Sequence, residues 1–72
     1  MEFVVCINNR GYPASLELRK IYQTIPDRQA NLRDMIRVID ESGEDYLYPQ
    51  GYFMAIEVSE PLATALCGSI KN

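Results

Sequence analysis

Residues 40–58, DESGEDYLYPQGYFMAIEV, decide the fold. Glu41-Ser42-Gly43-Glu44 sets Ser-Gly at the centre of a short polar stretch, the pattern of a tight hairpin turn. Tyr46-Leu47-Tyr48 reads as the return strand. Pro49 stops it, because a central strand cannot spare an N–H. Gln50-Gly51-Tyr52 has the length of a single 3₁₀ turn. Residues 53–58 form the last strand, with Phe53 as its core anchor. Hairpin, proline stop, one-turn break and closing strand together make the second half of a small five-stranded barrel.

Upstream of the hairpin, residues 35–40 alternate. Ile36 and Val38 face one way, and Met35, Arg37 and Ile39 the other. Before them, Pro26-Asp27-Arg28-Gln29-Ala30-Asn31 is a polar connection with one helical turn capped by Asp27, and Leu32 is expected to tuck it onto the body. Residues 16–25 mix helix formers (Leu16, Glu17, Leu18, Arg19, Lys20) with the strand formers Ile21-Tyr22-Gln23-Thr24-Ile25. Pro26 closes the segment, and a strand over residues 18–25 is expected. Asn8-Asn9-Arg10-Gly11-Tyr12-Pro13 is a turn cluster that opens a loop running to about Ser15. Phe3-Val4-Val5-Cys6-Ile7 is a continuous apolar run. It suits a strand buried on both faces, or one with a face in the core and a face under another element. At the other end, Ser59-Glu60-Pro61 starts a helix over residues 60–67, with Ser59 as N-cap and Pro61 in the first turn. Leu62, Leu66 and Ile70 fall on one face, Gly68 is a C-cap, and the helix is expected to lie on the barrel.

The 72 residues leave room for one domain. So short a chain buries only roughly 60% of the surface its unfolded form exposes, so the core must be dense. Hydrophobic residues make up 47%, too many for disorder, and charged residues 24%, an ordinary share. The net charge of −3 argues against a general nucleic-acid binder. Arg28, Arg33 and Arg37 lie close in sequence and read first as a solvated loop. No stretch approaches the roughly 20 apolar residues of a membrane-spanning helix. The N-terminal apolar run is too short for a signal-peptide core and follows an acidic residue. A soluble, cytoplasmic protein is expected. Cys6 and Cys67 read as buried thiols in a reducing compartment, or as a disulfide joining the chain ends.

Strand, long loop, strand, polar connection, strand, hairpin, strand, 3₁₀ turn, strand is the element order of a Src-homology-3-like (SH3-like) barrel, here spanning residues 2–58. Leu47-Tyr48-Pro49-Gln50-Gly51-Tyr52-Phe53 resembles the aromatic, aliphatic, Pro, x, x, Tyr, hydrophobic signature of SH3 domains, with its first two positions exchanged in type. Over residues 3–58 the chain looks like a set of short, uncharacterised bacterial proteins, through VVCINNRGYPASLELRKIY and RVIDESGEDYLYPQGYF. In peptide-binding SH3 domains the Pro and Tyr of this turn line a polyproline groove with first-strand aromatics and a Trp. Pro49 and Tyr52 match. Val5, Cys6, Ile7 and Asn8 stand where the aromatics would be, and the chain has no Trp, so the resemblance does not carry polyproline binding with it.

Five tyrosines in so short a chain are the most suggestive feature, because tyrosine offers a rigid face with a polar tip. Tyr46 and Tyr48 share one strand face, opposite Leu47. With Leu47 in the core both would be outside beside Tyr52; with the tyrosines inward they fill the barrel. Tyr46, Tyr48, Pro49 and Tyr52 are the candidate protein-binding residues. The acids Asp40, Glu41, Glu44 and Asp45 bracket the hairpin and read as solubilising charges, with Asp40 or Asp45 bonding to turn N–H groups. The chain has no histidine, no Cys-x-x-Cys pair and no glycine-rich phosphate loop, so no catalytic, metal or cofactor site is expected. The leading reading is a non-catalytic module that binds a protein or peptide. A self-associating structural protein, dimeric through the Leu62/Leu66 helix or a barrel edge, is the alternative, and a nucleic-acid or ribosome-associated barrel a third.

Overall fold

The computed structural model describes residues 2–68. Its elements are β1 (Glu2–Cys6), β2 (Ile21–Ile25), α1 (Arg28–Leu32), β3 (Met35–Ile39), β4 (Asp45–Pro49), a 3₁₀ turn (Gln50–Tyr52), β5 (Phe53–Ile56) and α2 (Glu60–Gly68). The strands form one open antiparallel sheet in the order β4-β3-β2-β1-β5. No helix among the described residues is long and apolar enough to cross a membrane.

The register sorts the side chains. Tyr22 stands opposite Val4, Phe53 opposite Cys6, Tyr48 opposite Ile36 and Tyr46 opposite Val38. Because strand side chains alternate, one face collects Val4, Cys6, Tyr22, Val38, Tyr48 and Phe53, which with Leu16 form the core. Ile36 packs against it as the alternation of β3 predicts. On the other face, Val5 lies between Ile21 and Met54. Leu47 is on that face too, opposite Arg37, and it is half exposed. Of the two expected arrangements of β1, the core face is met by Val4 and Cys6, whereas the other face is buried at Phe3 but only half-buried at Val5, so full burial of both faces is not reached.

Among the described residues, Leu16 is the one member of this cluster that lies outside the strands, and it ties down the long connection of residues 7–20. The Arg19 N–H donates to Cys6 C=O (2.7 Å) and the Cys6 N–H to Lys20 C=O (2.9 Å). Arg19 itself sits at φ +65°. A left-handed residue cannot continue a strand, which is why β2 begins at Ile21 and not at residue 18. The apolar spacing of residues 16–25 could not reveal that turn.

Four other expectations change. Leu32 does not tuck α1 onto the body: it is 78% exposed, and Ala30 is the residue that α1 buries. The turn of α1 faces Ala30 inward because the Asp27 carboxylate accepts the Ala30 N–H (3.0 Å), the expected N-cap bond. In the β3–β4 hairpin the Gly43 N–H donates to Asp40 C=O (3.0 Å), so Glu41-Ser42 are the central residues and Gly43 follows them at φ +84°. The last strand ends at Ile56, two residues early. Helix α2 starts as read, with the Leu62 N–H on Ser59 Oγ (3.3 Å), yet Leu62 and Leu66 remain 44% and 38% exposed, so the stripe is not buried. Periodicity marks an apolar stripe without saying what covers it. The Cys67 side chain, the Cys6–Cys67 disulfide and Ile70 lie outside the described residues.

Candidate functional site

One concave feature among the described residues lies where the long connection meets the β3–β4 hairpin. Tyr12, Ala14 and Ser15 line one side, Asp40, Glu41 and Ser42 another, and Tyr46, Leu47 and Tyr48 of β4 the third. The groove has a volume of about 510 Å³ and is open to solvent.

Local chemistry builds each wall. Gly11 adopts φ +88°, turning the chain so that Tyr12 faces β4. The Tyr12 ring meets Tyr48 edge-on at 4.9 Å and Tyr52 at 6.2 Å, the T-shaped geometry that the ring quadrupole favours. Asn9 Nδ2 donates to Leu16 C=O (3.0 Å), and the Glu41 N–H donates to Ser15 C=O (3.1 Å). The connection is thereby stitched to the hairpin, and both walls are fixed relative to each other.

Two tyrosine–carboxylate bonds hold the hairpin base. Tyr48 Oη donates to Asp40 Oδ2 (2.5 Å), and Asp40 Oδ1 accepts from the Ser42 N–H (2.8 Å) and Ser42 Oγ (2.5 Å). Asp40 is 6% exposed. Burial works against its charge, but the hydrogen bonds from Ser42 and Tyr48 outweigh it and hold the carboxyl below its ordinary pKa. Burial and the adjacent carboxylate push Tyr48 up to about 12. Beside it, Tyr22 Oη donates to Glu41 Oε2 (2.5 Å) and accepts the Glu17 N–H (2.8 Å), while Lys20 Nζ lies 2.6 Å from the same Glu41 oxygen. Lys20 first, and Tyr22 second, lower the Glu41 pKa. Asp40 has no such cation: among the described residues its donors are all neutral groups.

The four residues singled out from sequence separate. Tyr46 is 50% exposed and lines the groove, its Oη donating to Glu44 Oε1 (3.3 Å). Tyr48 also lines it, but at 3% exposure it is a core residue that offers the groove only part of its ring. Pro49 and Tyr52 do not line it. Tyr52 joins through Tyr12 and donates its Oη to Arg10 C=O (2.9 Å). Tyr46 and Tyr48 share the core face, yet only Tyr48 reaches the core. Tyr46 stands one residue from the hairpin end of β4 and stays half exposed. Sequence reasoning missed Tyr12, Ser15 and the structural part of Glu41; the flanking Gly11 and Pro13 were the one local sign that Tyr12 sits on an ordered turn.

The basic cluster divides as well. Arg37 Nε lies 2.8 Å from Asp27 Oδ2 and its Nη1 2.9 Å from Asp45 Oδ2, so its charge is answered, while Arg28 and Arg33 are exposed. No three His, Cys, Asp or Glu side chains among the described residues gather as a metal site. No protein-family model matches the chain, and no curated protein or solved structure matches it.

Proposed function

We propose that the chain is an SH3-like small barrel, of the kind its sequence resembles in short bacterial proteins, acting in the cytoplasm as a non-catalytic protein-interaction module. The β4-β3-β2-β1-β5 order, with a 3₁₀ turn between β4 and β5, supports the SH3-like part of this reading. The observation that carries the function is the groove lined by Tyr12, Tyr46 and Tyr48 and held open by the hairpin hydrogen bonds. Its size matches that of ordinary ligand clefts, ~300–1,000 Å³. Exposed aromatic rings on a rigid frame lose little entropy on binding, which suits an extended peptide segment. The bound segment contacts Tyr46 and Tyr12, not the Pro49–Tyr52 ridge on its own.

Selection of a displayed random-peptide library against the immobilised domain tests this. The reading predicts selected peptides whose binding falls at least about tenfold with Tyr46→Ala or Tyr12→Ala in folded protein. Selected peptides indifferent to both substitutions would place the binding surface elsewhere.

A second reading, self-association, is favoured by the exposed Leu62 and Leu66 and by the outer row Ile21, Val5 and Met54. Apolar surface of this kind marks contact sites when it is contiguous. Sedimentation equilibrium at micromolar concentration decides it: a dimer that Met54→Lys or Leu66→Lys dissolves supports the reading, and a monomer at all concentrations removes it.

A further inference from the structure

We infer that the groove takes a cationic segment, an extended peptide that places an arginine or lysine between Tyr46 and Asp40. The inference rests on the interaction-module reading above and specifies its partner.

The argument is one of charge and position. The groove is lined by two carboxylates, Asp40 and Glu41, and by no lysine or arginine. Glu41 is answered by Lys20 from outside the lining. Asp40 is not answered: its oxygens take the Ser42 N–H, Ser42 Oγ and Tyr48 Oη, all neutral donors, while the residue is nearly buried. A buried ion satisfied by hydrogen bonds alone still projects its field, and the low-dielectric wall around it weakens screening. Glu44, at the rim, accepts from Tyr46 Oη and adds a second negative charge beside the most exposed ring of the groove. A guanidinium can lie flat over the Tyr46 or Tyr12 ring and share the field of Asp40 and Glu44. A neutral segment gains only the ring contact, and an acidic one meets repulsion. Two other concavities among the described residues do not combine these features: the cleft beside α1 contains Arg33 and Arg37, and the one at the β1–β5 end has no tyrosine.

The experiment uses four pools of nine-residue peptides, with the central residue fixed as Arg, Lys, Gln or Glu and uncharged mixtures elsewhere. Each pool is titrated into ¹⁵N-labelled full chain, and the amides of Ser15, Ser42, Tyr46 and Leu47 report on the groove. The Arg and Lys pools are expected to shift these amides at concentrations about tenfold lower than the Gln pool, with the Glu pool weakest. The preference shrinks in Glu44→Gln, which leaves Asp40 and its turn intact, and it shrinks as salt rises from about 0.05 to about 0.5 M. Equal binding of the Arg and Gln pools at the groove amides overturns the cationic class and leaves the interaction-module reading standing. Shifts that appear only elsewhere, or no shifts with any pool, overturn both.

Discussion

The two ends of the chain's second half are built on opposite plans. At the β3–β4 hairpin, polar groups do the fixing: Tyr48 on Asp40, Tyr22 on Glu41, the Glu41 N–H on Ser15, with Leu16 sealed beneath. Helix α2, by contrast, is capped by Ser59 at its start and leaves Leu62 and Leu66 44% and 38% exposed. A directed bond fixes position, whereas an apolar stripe fixes only a preference for cover. The ordered end consequently presents a shaped groove with a defined charge, and the helical end presents surface whose occupant is not specified.

Core truncation breaks this contrast most strongly. Leu16→Ala should lose about 2–5 kcal/mol, because Leu16 is 1% exposed and its removal empties the core under the groove. Leu62→Ala should stay within about 0.5 kcal/mol of the parent in a monomer. Urea unfolding of both variants measures the difference, and equal losses would mean that α2 is packed as firmly as the connection.

Tyr48→Phe comes next. It keeps the ring and removes the donor to Asp40, leaving a buried carboxylate oxygen short of a partner, at a cost of about 1.5–3 kcal/mol. Tyr46→Phe, whose hydroxyl is exposed on Glu44, should unfold at the parent's urea midpoint.

Titration sharpens the same point from both sides. The pKa values of Asp40 and Glu41 are lowered in the folded state, so their stabilising contribution is complete above the unfolded carboxylate range of about 4 and is lost as pH falls through the folded values. Tyr48 is raised to about 12. Its contribution is complete below the unfolded tyrosine value of about 10 and disappears as pH climbs through the folded one. Melting temperature against pH should therefore fall at both extremes. In Tyr48→Phe the decline above about pH 10 should be reduced. An unchanged alkaline limb would show that the buried hydroxyl is not its source.

The smallest expected effect concerns backbone. Gly43→Ala places a side chain at φ +84° and should cost about 1–2 kcal/mol through left-handed strain alone, since no atom lies within 4 Å of the added Cβ. Gly51→Ala, equally open but without a positive φ, should change stability by no more than about 0.5 kcal/mol. Thermal unfolding of the pair separates hairpin strain from the tolerance of the 3₁₀ turn.

Much of this architecture was legible in residues 40–58 because the signals there are local. Pro49 ends β4, Gln50-Gly51-Tyr52 make the 3₁₀ turn, and Asp40 caps its own turn, each through neighbours within a few positions, and Phe53 stood out as the large apolar residue opening β5. Asp27 and Ser59 were legible as caps for the same reason. Position in the third dimension was not. Nothing in the order Tyr46-Leu47-Tyr48 says that Tyr48 is sealed by Tyr12, a residue 36 positions earlier, while Tyr46 is left open. The left-handed Arg19 that shortens β2 depends on a bond to Cys6, and the choice of Ala30 over Leu32 as the buried residue of α1 depends on where Asp27 anchors the turn. The candidate site was therefore half visible: Tyr46 and Tyr48 were on the page, but the wall opposite them was not.

The most direct test of the groove as the binding surface is amide shift mapping of the full chain with the tightest library-selected peptide. The account predicts perturbations concentrated at Tyr12, Ser15, Ser42, Tyr46 and Leu47, with Met54, Leu62 and Leu66 unmoved. Perturbations centred on Met54 or on α2, with the hairpin silent, would contradict it.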